Sequence, residues 1–234
     1  MNKDQNRLLN MLKENKITEN DYKTLSAALN KKSSPLTTVF SFLANPFQRI
    51  AGLPALLLGL MVMVLMSYLA VFAKVYFYGA CTLLNATVIS HPKTPIHFSL
   101  LLYFNMISWA IMTSAFLIST WICQQKRIRI IDFLGTTALA RFPYLVLIAV
   151  LCVIRFMNPG FMNINLTKAL PMQPSIMMML TGGLFMLCLI WQMAMYFYAL
   201  KESSGLVGKK LYISFIVSVI LCEVISSPLA MSFI

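Results

Sequence analysis

From Ile50 to Ala73 the chain runs for 24 apolar or small residues without one charge. A helix needs roughly 20 such residues to cross about 30 Å of hydrocarbon. A helix that is apolar on every side over this length belongs in a bilayer rather than on the surface of a small soluble domain. Four further apolar segments follow, at roughly 98–123, 142–157, 175–200 and 211–231. The pattern predicts an all-α fold: a polytopic membrane bundle with five transmembrane helices over 50–234. A short cytoplasmic helical hairpin (1–34) and a linker or interfacial segment (35–49) precede it.

The charges support that reading by where they lie. Apolar residues make up 59% of the chain and charged ones 11%, against about half and a quarter in soluble domains. The net charge of +12 suggests nucleic acid only until its placement is seen. Seven of the 19 Lys and Arg lie in the first 34 residues, and most others flank apolar segments. Such charges face anionic lipid headgroups and set topology. The lipid bilayer is therefore the expected partner, and nucleic acid is not. The five cysteines (Cys81, Cys123, Cys152, Cys188, Cys222) are scattered singly, without a CxxC or a nearby His. That excludes a disulfide framework or zinc site of ordinary spacing, and no cofactor is expected.

The first 34 residues are a different material. Leu8, Met11 and Leu12 recur at helical spacing, and Tyr22, Leu25 and Leu29 recur after a break at Asn15-Lys16. Thr18 is a suitable N-cap and Asp21 can close a capping box, with Ile17 and Tyr22 placed as a hydrophobic staple. A hairpin this small rarely folds alone, so it is either a marginal solvated element or a docking module completed by a partner. Being polar, the segment has no leader pattern, and the first span is expected to serve as its own insertion signal. Lys31 to Pro35 reads as a linker. Val39 to Leu43 and Asn45 to Arg49 are too short to span and are expected at the membrane interface, with Phe rings at headgroup depth.

The first span is expected to continue toward Tyr78, with Lys74 snorkelling. The third is predicted over 142–157, with Pro143 in its first turn, where a missing N–H costs little. Counting Lys and Arg on alternate sides places fifteen with the N-terminus, including Lys126, Arg127, Arg129 and Arg141 in the second loop. Four fall on the other side: Lys74, Lys93, Arg155 and Lys168. The asymmetry puts the N-terminus in the cytoplasm and the C-terminus outside.

Polar residues within spans are the candidates for function. Glu223 falls near the middle of the fifth span, where an acidic group costs on the order of 3 kcal/mol on insertion scales. It is expected on a packed inward face, partnered by Gln192, Asn105 or an arginine. Beside it Ser214, Ser218, Cys222 and Ser226 recur every four positions, a small-residue stripe that lets helices approach closely. Ser226-Ser227-Pro228 is expected to kink or unwind the helix end. Thr181-Gly182-Gly183 reads as a close-packing site for another helix, the alternative being a broken-helix binding point. Gly205 to Lys209 lacks the spacing of a phosphate loop. His91 and His97 have no acidic or thiol partner at ligand spacing, and no catalytic constellation can be assembled in one layer.

Residues 38–234 resemble a bacterial-type member of the Yip1 family of integral membrane proteins. The resemblance rests on Asn45-Pro46-Phe47-Gln48-Arg49-Ile50 before the first span, on Phe133-Leu134-Gly135-Thr136 through Arg141-Phe142-Pro143-Tyr144, and on the turn Lys201-Glu202-Ser203-Ser204-Gly205. It implies a five-span protein of the bacterial cytoplasmic membrane with no assigned activity. Eukaryotic members contact Rab GTPases through an acidic-aromatic motif ahead of the first span. Asn45 to Ile50 occupies that place here, which argues against GTPase binding.

The sequence therefore leads to a non-enzymatic membrane scaffold or adaptor that assembles with itself or with other membrane proteins. The alternative is a small transporter or channel subunit with Glu223 on the ion or substrate path.

Overall fold

The computed structural model describes isolated residues between 11 and 22, Leu43, and then residues 45–74, 97–123, 129–157 and 176–231, with side chains over 179–226 in the last stretch. Two compact units divide the chain, Met1–Leu43 and Ala44–Ile234. In the first, the capping box forms. The Asp21 amide donates to Thr18 Oγ1 at 3.2 Å, while Asp21 Oδ2 accepts from the Thr18 amide at 3.3 Å and the Thr18 hydroxyl at 2.6 Å. Most of the rest of the predicted hairpin, and residues 35–42 of the linker, lie outside the described residues.

The second unit contains six α-helices among its described residues: α1 (Gly52–Ala73), α2 (Phe98–Ile122), α3 (Ile130–Leu139), α4 (Phe142–Met157), α5 (Ile176–Ser204) and α6 (Lys209–Met231). Among the described residues, four stretches are long and apolar enough to cross a membrane: Gly52–Ala73, Phe98–Ile122, Met179–Ser204 and Ile130–Met157, which joins α3 to α4. The protein is a multi-pass, all-helical membrane bundle.

The sequence explains where the helices stop. α1 ends at Ala73 because Lys74 adopts a left-handed conformation (φ 52°), its amide folding back onto the carbonyls of Ala70 and Val71. The expected continuation toward Tyr78 does not occur at this residue, and Tyr76 and Tyr78 lie outside the described residues. Arg155 Nη1 caps the same terminus, donating to Ala73 O at 2.9 Å. At the end of α5, the Ser203 and Ser204 hydroxyls bond back to Ala199 and Leu200, and Ser204 Oγ then accepts the Leu206 amide at 3.1 Å. α6 continues through Ser226, Ser227 and Pro228 to Met231, so the expected unwinding there is not seen. A proline's lost amide is tolerated within a helix when neighbouring groups resatisfy the backbone.

α1 and α3 make the tightest seam. A Cβ added at Gly59 would run into the Ala138 methyl and reach 2.6 Å from Leu139 N. One added at Gly135 would reach 2.6 Å from Gly52 O and 2.9 Å from Leu56 N. Glycine is thus required on both helices for backbone-to-backbone approach, the geometry small residues permit in lipid. The predicted close-packing pair, Gly182-Gly183, does the opposite. Both glycines are exposed, and a Cβ on either would meet nothing within 4 Å. The 3₁₀ turn Pro46–Gln48 departs from the interfacial expectation too. Phe47 is buried in the main apolar cluster, and Asn45 Nδ2 donates to Glu202 Oε1 at 2.9 Å at the end of α5. Its ring fills a core position and does not rest at headgroup depth.

Candidate functional site

The third span begins at Ile130, well before the predicted 142, and it is interrupted. Pro143 has no amide to offer Leu139 O, and its ring crowds that carbonyl. The chain therefore tightens between α3 and α4. The Arg141 amide bonds three residues back to Ala138 O (3.3 Å), and the Tyr144 amide bonds three back to Arg141 O (3.1 Å). Arg141 sits at this break, near the middle of a 28-residue apolar stretch. It is 4% exposed. The loop position inferred from its charge is thus corrected: the Pro143 break places it inside the bundle.

A guanidinium is always charged, and at bilayer depth it costs about 2.5–3.5 kcal/mol on insertion scales unless partners compensate. Here Arg141 Nη1 donates to Asn105 Oδ1 at 3.0 Å and to Asn105 O at 3.1 Å. Asn105 Nδ2 passes the chain on to Ser67 Oγ at 2.7 Å, and that hydroxyl donates to Met63 O at 2.8 Å. One line of hydrogen bonds thus joins the α3–α4 break to α2 and α1. A second ties α2 to α3. Trp109 Nε1 donates to Leu134 O (3.1 Å) and Thr137 Oγ1 (3.2 Å), and the Thr113 and Thr137 hydroxyls bond at 2.7 Å.

α6 packs along α2 through the small-residue stripe. Ser214 Oγ lies 3.3 Å from Cys123 Sγ, Ser218 Oγ donates to Ala115 O at 3.3 Å, and Cys222 Sγ lies 3.3 Å from Met112 Sδ. Ser226, one turn further, is buried. Glu223 follows on this inward side at 3% exposed. Gln192, on α5, is 1% exposed. Phe142, next to Arg141, packs edge-on against Trp191, next to Gln192, with ring centroids 5.9 Å apart. Arg141, Gln192 and Glu223 are thus three buried polar side chains of the bundle, and the Phe142–Trp191 contact joins the turns that carry the first two. Asn105, one of the three partners expected for Glu223, hydrogen-bonds with Arg141 and Ser67.

Of these buried groups, Arg141 Nε and Gln192 Oε1 have no hydrogen-bond partner among the described residues. Leaving such an atom unsatisfied in the interior costs about 1–3 kcal/mol. No group of three or more His, Cys, Asp and Glu gathers at metal-binding distance among the described residues, and His91 lies outside them. Sequence reading missed Arg141 as an interior residue. The signal that could have found it was Pro143 in a stretch that stays apolar and helix-compatible back to Ile130.

Protein-family models, curated proteins and solved structures all give no match to this chain.

Proposed function

We propose that this protein is a non-enzymatic membrane scaffold of Yip1-like architecture, whose bundle assembles with a second copy or with another membrane protein. The observation behind the reading is the outward glycine pair. Gly182 and Gly183 lie in open space on α5, flanked by the exposed side chains of Met179, Leu180, Met186 and Leu187. Glycine in a helix costs about 1 kcal/mol relative to alanine. Facing lipid, it returns no packing. Facing another helix, it lets two backbones approach. The reading takes α6 as a fifth span and the N-terminus as cytoplasmic in a bacterial inner membrane, with the remaining charge asymmetry, fourteen against four once Arg141 is removed, supporting that orientation. The test is in-membrane crosslinking of the full chain and of a Gly182→Leu/Gly183→Leu variant. Loss of a defined crosslinked species in the variant is the expected result. A species unchanged by the two leucines removes the glycine face from the interface.

A second reading, a small transporter or channel subunit, draws on the interrupted span. Broken helices with charged groups near the midplane recur at substrate sites of transporters. Glu223→Gln separates the two readings. A scaffold keeps its assembly and stability, because the amide retains most hydrogen bonds, whereas a proton- or cation-coupled path loses flux while the bundle stays folded.

A further inference from the structure

We infer that the break between α3 and α4 is a water-binding site inside the membrane, held by Arg141 and Gln192. Three groups with complementary hydrogen-bonding needs lie on the turns that meet here. Arg141 Nε–H is a donor and Gln192 Oε1 an acceptor, each without a hydrogen-bond partner among the described residues. Both side chains are more than nine-tenths buried. The third is the Leu139 carbonyl, whose usual helical donor is replaced by the imino nitrogen of Pro143. The Phe142–Trp191 contact brings the turn carrying Arg141 against the turn carrying Gln192.

The chemistry selects the ligand. It must accept one hydrogen bond from a guanidinium and donate to an amide oxygen and a backbone carbonyl. Water does all three at once, within the two to four partners a buried water ordinarily has. A bare cation is repelled by Arg141. A simple anion such as chloride has no proton to give Gln192 or Leu139. A hydrated break also supplies what the start of α4 lacks in lipid, a polar medium for backbone groups released by the proline. The site stands whether or not the bundle assembles with a partner.

The experiment is water-edited solid-state NMR on the full-length protein in lipid bilayers, with water itself as the probe. The readout is magnetisation transfer from water to the guanidinium Nε–H of Arg141, assigned by its loss in Arg141→Lys. The exposed guanidinia of Arg49 and Arg129 give the wet reference. The Trp109 indole N–H, bonded to Leu134 and Thr137 inside the bundle, gives the dry one. The expected result is build-up at Arg141 as fast as at Arg49 and Arg129, slowed several-fold in Gln192→Leu. Gln192→Met, closer in shape, serves if the leucine variant fails to assemble. Build-up as slow as at Trp109 overturns the site, and so does fast build-up that neither Gln192 variant changes.

Discussion

Two regions hold α3 in place by opposite means. Along the seam with α1, attachment is by removal. Gly59 and Gly135 have no side chain, Ala55 and Ala138 have a methyl, and the backbones come together as closely as atoms allow. Just beyond its C-terminus, attachment is by addition. Arg141 brings a charge into the bundle, and Asn105 and Ser67 are spent in compensating it. In lipid both solutions are available, because apolar side chains gain nothing by leaving an apolar solvent. The difference lies in tolerance. A seam built on absent atoms fails at the first added methyl group, while a hydrogen-bonded chain fails only when a partner is lost.

The largest effect should come from the seam. Gly59→Leu places a side chain where Ala138 and the Leu139 amide already stand, and should destabilise the bundle by about 3 kcal/mol or more. Unfolding in mixed micelles measures it, and a variant as stable as the parent would mean that α1 and α3 are not in backbone contact. Next comes the hydrogen-bonded chain. Arg141→Ala strands the Asn105 Oδ1 acceptor inside the bundle, at a cost of about 2–3 kcal/mol. A double-mutant cycle with Asn105→Ala should recover a coupling on the order of 1 kcal/mol. A coupling near zero would show that the two side chains do not act together.

The smallest effect belongs to the same chemistry placed in water. Asp21 is fully exposed, and its hydrogen bonds from the Thr18 side chain, and then from the Thr18 backbone, hold its carboxyl below the ordinary 3.8. A lowered carboxyl pKa stabilises the folded form above the unfolded value, and that stabilisation is lost as pH falls through the folded one. An NMR titration should therefore show the Thr18 and Asp21 amides shifting below pH 3.8, and Asp21→Asn should abolish the step. A midpoint at or above 3.8 would mean the capping box does not persist in solution.

Much of this bundle was legible because lipid imposes one rule on every residue. A span must be long, apolar and internally hydrogen-bonded, so the uncharged run after Ile50 determined α1 and similar runs determined the other spans of a multi-pass all-α protein. The Thr18–Asp21 cap was legible for a similar reason, since all its partners lie within one turn. Helix faces were not. Gly182-Gly183 and Gly59 have the same side chain, and only the neighbour across from each decides that one is open and the other is pressed against α3. Arg141 makes the point most sharply. A charge beside a basic loop reads as loop, because sequence hydropathy assigns each residue a cost without knowing who will compensate it. The compensation comes from Asn105, 36 positions away, and from Ser67 on a third helix. Those contacts exist only once the helices have packed, so the tertiary structure alone decided that the arginine lies inside.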